Sequence, residues 1–201
     1  MGRIGRTIAE AGGLSDPFAL FKAWFADAQS ESEPHAMALA TEHEGQPSVR
    51  MTLLRSFDER GFVFYTNYQS RKGSELAMNP RAAILFYWHP LHRQVRIEGR
   101  VERTTPEESD AYFAGRERAK QLSAWASDQS QEIESRVALI ERLQKVEKEF
   151  EGRHVPRPPH WGGYRLIPDA FEFWQGYPDR LHDRTLFVLQ DGEWRTSVLM
   201  P

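Results

Sequence analysis

Residues 36–66 read AMALATEHEGQPSVRMTLLRSFDERGFVFYT and decide the fold class. Three apolar runs in this stretch predict strands, at Ala36–Ala40, Ser48–Leu54 and Phe62–Thr66. Polar turn clusters at Glu42–Pro47 and Asp58–Gly61 separate them. These connections are too short to hold a helix, so the stretch excludes a doubly wound parallel sheet, which needs helices between most of its strands.

The rest of the chain continues this pattern and adds helices. Further strands are predicted at Ala82–Trp88, Gln94–Arg103, Tyr164–Ile167, Ala170–Gln175, Thr185–Leu189 and Trp194–Leu199. Helices are predicted from Asp16-Pro17, over Ser70–Met78, from Thr105 through Phe113, and around Ile133–Phe150. Six or more strands joined mostly by tight turns favour a mainly β fold, an antiparallel sheet or small barrel with helices packed outside.

Length and composition indicate one folded domain. The 201 residues are 40% hydrophobic and 27% charged, which is ordinary for a globular protein. We expect a mobile arm over 1–15 and a single domain over 16–201. The net charge of −3 gives no overall electrostatic attraction to nucleic acid or to an anionic membrane.

Several classes of chemistry are excluded by residue types that are missing from the sequence. The chain has no cysteine, which rules out disulfides, a Cys nucleophile and an iron–sulfur cluster. Its seven histidines show no metal-ligand spacing, so no metal site is expected. The first 13 residues lack the apolar core of a secretory signal, and the longest apolar run is too short to span a bilayer. We therefore expect a cytoplasmic protein.

Basic residues near predicted strand and helix ends suggest a phosphate site. Arg50 and Arg55 flank one strand end, and Arg71 and Lys72 open a short helix. A solvated basic turn explains the same residues. Near the middle of the chain, Gln129 and Ser130 suit phosphate contact or, equally well, the start of a helix.

Two further positions combine polar groups in an unusual way. Gln94 interrupts an apolar strand, which fits either an outward-facing residue or an amide that binds a planar heterocycle. Arg180, His182 and Arg184 alternate, so an extended segment would place all three on one face, where an anion would relieve their repulsion. An ion-paired surface strand, with Asp179 and Asp183 as partners, is the alternative.

Several segments together match the pattern of one known family. They are Arg50–Arg55, Gly61–Asn67, Ser70–Gly73, Asn79–Arg81, Phe86–Trp88, Arg93–Gly99, Ala124–Ser127 with Gln129-Ser130, Trp161–Tyr164, Phe173–Gly176 and Arg180–Arg184. Through them the sequence from Asp16 to Pro201 resembles the pyridoxine/pyridoxamine 5'-phosphate oxidase family. The resemblance implies a split β-barrel of six to eight antiparallel strands. It also implies a homodimer that binds flavin mononucleotide (FMN) in two clefts at the subunit interface.

The resemblance assigns roles to individual residues. Those implied in FMN binding are Arg50, Met51, Leu53, Leu54, Arg55, Tyr65, Thr66, Arg71, Lys72, Gln94, Gln129, Ser130, Trp174 and Arg184, the last two reaching the flavin from the partner subunit. Those implied in substrate binding are Arg55, Tyr112, Arg116, Lys120, Arg180 and His182. Arg180 and His182 are also the implied catalytic residues, because they match residues that cover the pyridine ring.

The implied reaction oxidises pyridoxamine or pyridoxine 5'-phosphate to pyridoxal 5'-phosphate. A hydride passes from the substrate C4' carbon to flavin N5, and dioxygen reoxidises the flavin to give hydrogen peroxide. The alternatives are a sister oxidase acting on another ring system, such as the phenazine-pathway oxidases of this fold, and a flavin or pyridoxal-phosphate binding protein with little turnover.

The sequence departs from the family pattern in the segments that concern substrate. Arg55 stands where the family usually has Lys, Glu117 where it has Pro, and Lys120 where it has a substrate-phosphate Ser. The arm before Asp16 also lacks the family's Arg-Arg-x-Tyr-like segment.

Overall fold

The computed structural model describes Ile8 and residues 16–201. Apart from Ile8, the expected mobile arm over 1–15 lies outside the described residues. The helices are α1 Pro17–Asp27, α2 Arg71–Met78, α3 Pro106–Ala114, α4 Arg118–Ala126 and α5 Arg136–Glu149. The strands are β1 Ala36–His43, β2 Gln46–Leu53, β3 Ser56–Asp58, β4 Gly61–Asn67, β5 Arg81–Trp88, β6 Arg93–Arg103, β7 Trp161–Gln175, β8 Asp183–Gln190 and β9 Glu193–Val198.

One antiparallel sheet contains all these strands, which confirms the predicted fold class. Its order is β2-β1-β5-β6-β7-β4-β3, with β8 paired to β7 and β9 to β8. The long strand β7 divides the sheet, because its first half pairs with β4 and its second half with β8 while β6 runs along both. The described residues contain nine strands, one more than the six to eight that the resemblance implied. The local patterns also predicted nine, but the short β3 had no predicted counterpart, and two predicted strands form the single β7.

A β-bulge explains why β7 is one strand and not the two predicted from Pro168 and Asp169. The register between β6 and β7 shifts at Glu98/Gly99, where Gly99 faces Pro168. A side chain at Gly99 would meet the Ile167 carbonyl oxygen at 2.0 Å, so glycine lets the two backbones approach. The extra residue accommodates the proline without ending the strand.

The core lies on the inner face of this curved sheet and under α1. Asp16 caps α1 by accepting the Phe18 N–H at 2.9 Å. The helix buries Phe21 completely and Trp24 almost completely. Inner-face side chains that are also fully buried include Met37, Leu39, Phe62, Phe64, Ile84, Phe86, Phe171 and Phe173. Burial of so many aromatic rings supplies the main driving force for closing the sheet.

The helices between β6 and β7 cover one side of the sheet and form a second, smaller core. Phe113, Leu122, Phe150, Val155 and Trp161 are its buried members. Helix α4 was not predicted, because its segment is rich in polar residues. Helix α5 begins at Arg136, where Ser135 accepts the Ala138 N–H, and not at Ile133.

The outer face of the sheet presents a mixed apolar and ionic surface. A cross-strand row on this face passes through Tyr87, Gln94, Trp174 and Arg184. On the same face, β2 exposes Val49 and Met51, whose side chains are 69% and 67% accessible. Among the helices described, none has the length and apolar character needed to cross a membrane.

Candidate functional site

A cavity of about 650 Å³ lies between the ends of β2 and β4 and the helices α3 and α4. Ligand sites in proteins commonly occupy about 300–1,000 Å³. Its lining includes the charged side chains Arg55, Lys72, Arg116, Glu117 and Lys120. Four of the five are cations, so the cavity favours an anionic ligand.

Lys72 forms the buried cationic end of the cavity. Its Nζ donates to Thr66 Oγ1 at 3.2 Å and to Ser70 Oγ at 3.4 Å. Burial lowers the pKa of Lys72, and the nearby Arg50 lowers it further, while Glu75 acts in the opposite direction. Within the described residues no carboxylate forms an ion pair with Lys72. A buried ammonium that is bonded only to hydroxyl groups is suited to receive a phosphate.

The loop after α4 is tied to β4 beside Lys72. Thr66 donates through Oγ1 to Gln129 Oε1 at 3.1 Å, and Asn67 Nδ2 donates to the Ser127 carbonyl at 3.4 Å. These contacts bring Gln129 into the cavity although it lies 63 residues from Thr66 in the chain.

An aromatic stack forms the opposite wall. The rings of Tyr65 and Tyr112 lie 3.9 Å apart and 6° from parallel, and Trp161 continues the stack 5.5 Å from Tyr65. Gly163, the second of the two glycines after Trp161, makes this packing possible, because a side chain there would meet the Tyr65 ring at 2.8 Å.

Arg116 lies on this stack. Its guanidinium carbon is 4.5 Å from the Trp161 ring centroid. Burial lowers the pKa of Arg116, Tyr112 opposes this, and Arg55 lowers the pKa further. Among the described residues no carboxylate pairs with Arg116, so its charge remains available to a ligand.

Lys120 and Glu117, two of the departures from the family pattern, pair with each other. Lys120 Nζ lies 3.1 Å from Glu117 Oε1, and both side chains are exposed. An exposed pair of this kind contributes at most about 1 kcal/mol, so Lys120 is free to move to a ligand.

The structure brings nine of the predicted site residues together in this cavity. They are Met51, Arg55, Tyr65, Thr66, Lys72, Tyr112, Arg116, Lys120 and Gln129. Arg50 and Arg71 do not line it; both bind Glu75, next to Lys72.

The other predicted residues lie elsewhere in the chain. Those that do not line the cavity are Leu53, Leu54, Gln94, Ser130, Trp174, Arg180, His182 and Arg184. Leu54 belongs to the hydrophobic core, with 2% of its surface accessible. Gln94, Trp174 and Arg184 occupy neighbouring positions on the outer face.

The segment 180–184 is not extended throughout, so its three basic residues do not share one strand face. Arg180 adopts a left-handed conformation with φ of 63° in a turn, and β8 begins only at Asp183. Arg184 binds Glu172 at 2.7 Å and not the two aspartates considered from the sequence.

His182 has a defined orientation within that segment. Its Nδ1 accepts the Tyr177 N–H at 3.1 Å, and its ring lies 4.8 Å from the Trp174 ring. A neutral His182 therefore carries its proton on Nε2, where it can donate to a ligand.

Sequence reasoning missed six polar or aromatic residues of the cavity. Those that line it but were not assigned to the site are Thr52, Asn67, Glu117, Ser123, Ser127 and Trp161. For Trp161 the available signal was the Trp-Gly-Gly sequence, because glycine within a strand marks a place where other groups approach the backbone closely.

Comparisons with known proteins agree with this geometry. The family model described as "Pyridoxamine 5'-phosphate oxidase" matches residues 26–149. A second, described as "Pyridoxine 5'-phosphate oxidase C-terminal dimerisation region", matches residues 161–201.

Curated relatives and a solved structure extend the match over almost the whole chain. Proteins named pyridoxine/pyridoxamine 5'-phosphate oxidase are 55% identical in Rubrobacter xylanophilus and 53% identical in Cupriavidus necator. These alignments cover 96% and 97% of this chain and 91% and 93% of the relatives. The crystal structure of PhzG from Burkholderia lata, in complex with tetrahydrophenazine-1-carboxylic acid, is 36% identical, with a TM-score of 0.90 over 96% of each chain. The chain belongs to the pyridoxamine 5'-phosphate oxidase family.

Proposed function

We propose that this protein is an FMN-dependent oxidase that converts pyridoxamine or pyridoxine 5'-phosphate to pyridoxal 5'-phosphate. The observation that carries the proposal is the cavity with two separate cationic groups, Lys72 at its buried end and Arg116 on the aromatic wall. A flavin phosphate and a substrate phosphate bound together need two separate cationic sites. The curated relatives at 53–55% identity carry the name of this activity.

The residues at the buried end fit the flavin phosphate. Lys72 lacks a carboxylate partner among the described residues, and Arg50 and Arg71 lie beside it on either side of Glu75. Gln129 and Thr66 supply polar groups next to these cations. Held by these residues, a bound flavin would supply the redox chemistry, as acceptor of a hydride and donor of electrons to dioxygen.

The aromatic wall fits the substrate. Arg116, Arg55 and Lys120 place three positive charges around Tyr112, where they would hold the substrate phosphate. Charge-assisted contacts of this kind fix the ring of a small substrate as well as its phosphate. In this proposal the protein binds and orients the substrate, while the redox chemistry belongs to the cofactor.

A second subunit would complete the site. Residues 161–201, which match a dimerisation region, contain Trp174, Arg180, His182 and Arg184. None of these four lines the cavity of its own chain. Pairing of the outer faces of two subunits would bury Val49 and Tyr87. It would also bring the four residues of the dimerisation region to the cavity of the partner subunit. Arg180 and the Nε2 proton of His182 would then contact the substrate ring.

An oxidase acting on a phenazine-type ring is the second candidate. The observation that favours it is the 36% identity and 0.90 TM-score to PhzG. Lys120 and Glu117 also change the substrate end relative to the family pattern. The higher identity of the curated relatives favours the phosphorylated pyridine substrate.

Oxygen uptake by the purified protein tests the proposal. We expect a yellow protein with about one flavin per chain and rapid oxygen consumption with pyridoxamine 5'-phosphate. Unphosphorylated pyridoxamine and a reduced phenazine carboxylate serve as comparison substrates. Flavin-loaded protein that oxidises only the phenazine would establish the second candidate, and protein that binds no FMN on titration would refute both.

A further inference from the structure

Glu75 is a buried carboxylate at the cationic end of the cavity, with 6% of its surface accessible. Its Oε2 accepts hydrogen bonds from Thr41 Oγ1 at 2.5 Å, Ser48 Oγ at 2.7 Å and Arg50 Nη2 at 3.1 Å. Its Oε1 accepts from Arg71 Nε at 2.8 Å. The two oxygens of one carboxylate therefore bind two different arginines.

The same network fixes the Arg50 guanidinium from several sides. Arg50 Nη1 donates to the Leu39 carbonyl at 3.2 Å and to Thr41 Oγ1 at 2.5 Å, while Nη2 donates to Ser48 and Glu75. Arg71 is held less firmly than Arg50, because its side chain is 60% exposed. Among the described residues, Glu75 is the carboxylate that pairs with it. Without Glu75, Arg71 would lose its ionic tether and Arg50 would keep only neutral partners.

Glu75 is ionised throughout the physiological range. Burial raises the pKa of its carboxyl group, but hydrogen bonds from Thr41, Ser48, Arg71 and Arg50 outweigh burial and bring the pKa to about 2. Three cations, Arg50, Arg71 and Lys72, thus surround one negative charge. The cluster keeps an excess of positive charge that a second anion can use.

We propose that Glu75 is a positioning residue that holds Arg50 and Arg71 in place for the flavin phosphate. The inference rests on the proposed function, which assigns that phosphate to this end of the cavity. In this role Glu75 does not touch the ligand. It reduces the side-chain freedom that two long cationic residues would otherwise lose on binding.

The direction in which one substitution changes FMN affinity separates a positioning role of Glu75 from a simple charge effect. Glu75→Gln removes a negative charge near the phosphate, so electrostatics alone predicts tighter FMN binding. If Glu75 acts by positioning, FMN binding weakens instead, because Arg71 loses its ionic tether and Arg50 is held only by neutral partners. Riboflavin, which has the same ring but no phosphate, serves as the internal control, since a general structural defect would weaken both ligands equally.

The experiment measures the Kd of FMN and of riboflavin for the flavin-free full-length protein by quenching of flavin fluorescence. We expect Glu75→Gln to raise the Kd of FMN about tenfold or more, the size of a lost charge-assisted contact, and to change that of riboflavin less than about twofold. Glu193→Gln, at an exposed ion pair with Arg195, is the matched control and should leave both values unchanged.

A second variant keeps the test decisive if Glu75→Gln does not fold. Thr41→Val removes the hydrogen bond from Thr41 to Glu75 and the one from Arg50 to Thr41 without altering any charge, so it loosens the same network and should weaken FMN binding by a smaller factor while sparing riboflavin. Unchanged or tighter FMN binding in the folded variants, or equal weakening of both flavins, would overturn the inference. A wild-type protein that binds riboflavin and FMN equally well would instead remove the phosphate assignment, and with it the proposed function.

Discussion

The guanidinium of Arg116 lies over the Trp161 ring, with its central carbon 4.5 Å from the ring centroid. Trp161 is nearly buried and packs against Phe113 behind it, so it offers a fixed surface. A cation held over an aromatic ring keeps its N–H groups free at the edges. Trp161 therefore positions Arg116 for the substrate phosphate while leaving its hydrogen-bond donors available.

Substitution of Trp161 should weaken substrate binding through Arg116. We expect Trp161→Phe, which keeps a smaller ring, to raise the KM for pyridoxamine 5'-phosphate about two- to tenfold, in line with a partly desolvated cation–π contact. Trp125→Phe is the matched control, because Trp125 lies outside the cavity and donates to the Pro156 carbonyl. An unchanged KM in folded Trp161→Phe protein would contradict this role.

The buried ammonium of Lys72 should make FMN binding sensitive to alkaline pH. Since burial lowers its pKa from 10.5, the free protein loses this charge at lower pH than an exposed lysine would. A phosphate prefers the charged form, so FMN affinity should fall as pH rises through that lowered pKa. The ratio of FMN to riboflavin affinity across pH 7–10 measures the effect. Lys72→Arg, which stays charged, should flatten the profile.

The outer face should form the contact between two subunits. Dissociation of this dimer should release flavin. We expect Val49→Asp to shift the dimer toward monomer in light scattering and to release flavin in proportion, because a charge would enter an apolar contact. Val137→Asp is the control, since Val137 is similarly exposed, at 63%, but belongs to helix α5 and not to the sheet. A monomer that retains flavin tightly would contradict the shared site.

The fold could be predicted from local patterns because the strands are short, apolar and separated by turn residues. The segment 36–66 contains the three predicted strands and the added β3, and each turn joins an antiparallel pair, β1 with β2 and β3 with β4. The two pairs are not adjacent, because β2 and β3 lie at opposite ends of the sheet order. The continuous β7 could not be predicted, since Pro168 usually ends a strand and only the pairing with Gly99 in a distant strand accommodates it.

Residues of the site could be predicted where they belong to recognisable sequence motifs. They could not be predicted where their role depends on which side chains pair with each other. The family resemblance identified Lys72, Tyr112 and Arg116, which do meet in the cavity. The pairing of Glu75 with two arginines and of Glu117 with Lys120 could not be foreseen, because side-chain contacts depend on helix placement. The contribution of a second subunit remains a prediction.

Glu75 should also contribute to acid stability. Its folded pKa of about 2 lies below the ordinary value of 4.5, so its stabilisation is complete above pH 4.5 and is lost as pH falls toward 2. Denaturant unfolding of flavin-free protein should show this loss, at most roughly 3 kcal/mol by linkage. Glu75→Gln should be less stable at pH 7 and should lose less stability between pH 4.5 and pH 2. Equal pH dependence in both proteins would refute the assignment.

Selectivity for a phosphorylated substrate should depend on Arg116 more than on Lys120. Arg116 is half-buried without a carboxylate partner among the described residues, whereas Lys120 is exposed and shares its charge with Glu117. This pairing reduces the excess of positive charge that the sequence alone suggested. We expect Arg116→Ala to lower kcat/KM for pyridoxamine 5'-phosphate by about one to two decades, the size of a charge-assisted contact, and Lys120→Ser to have a milder effect. Unphosphorylated pyridoxamine should be a poor substrate for the wild type and should change little in either variant. Equal use of both amines by the wild type would refute the phosphate assignment, and a larger loss in Lys120→Ser than in Arg116→Ala would reverse the roles proposed for the two cations.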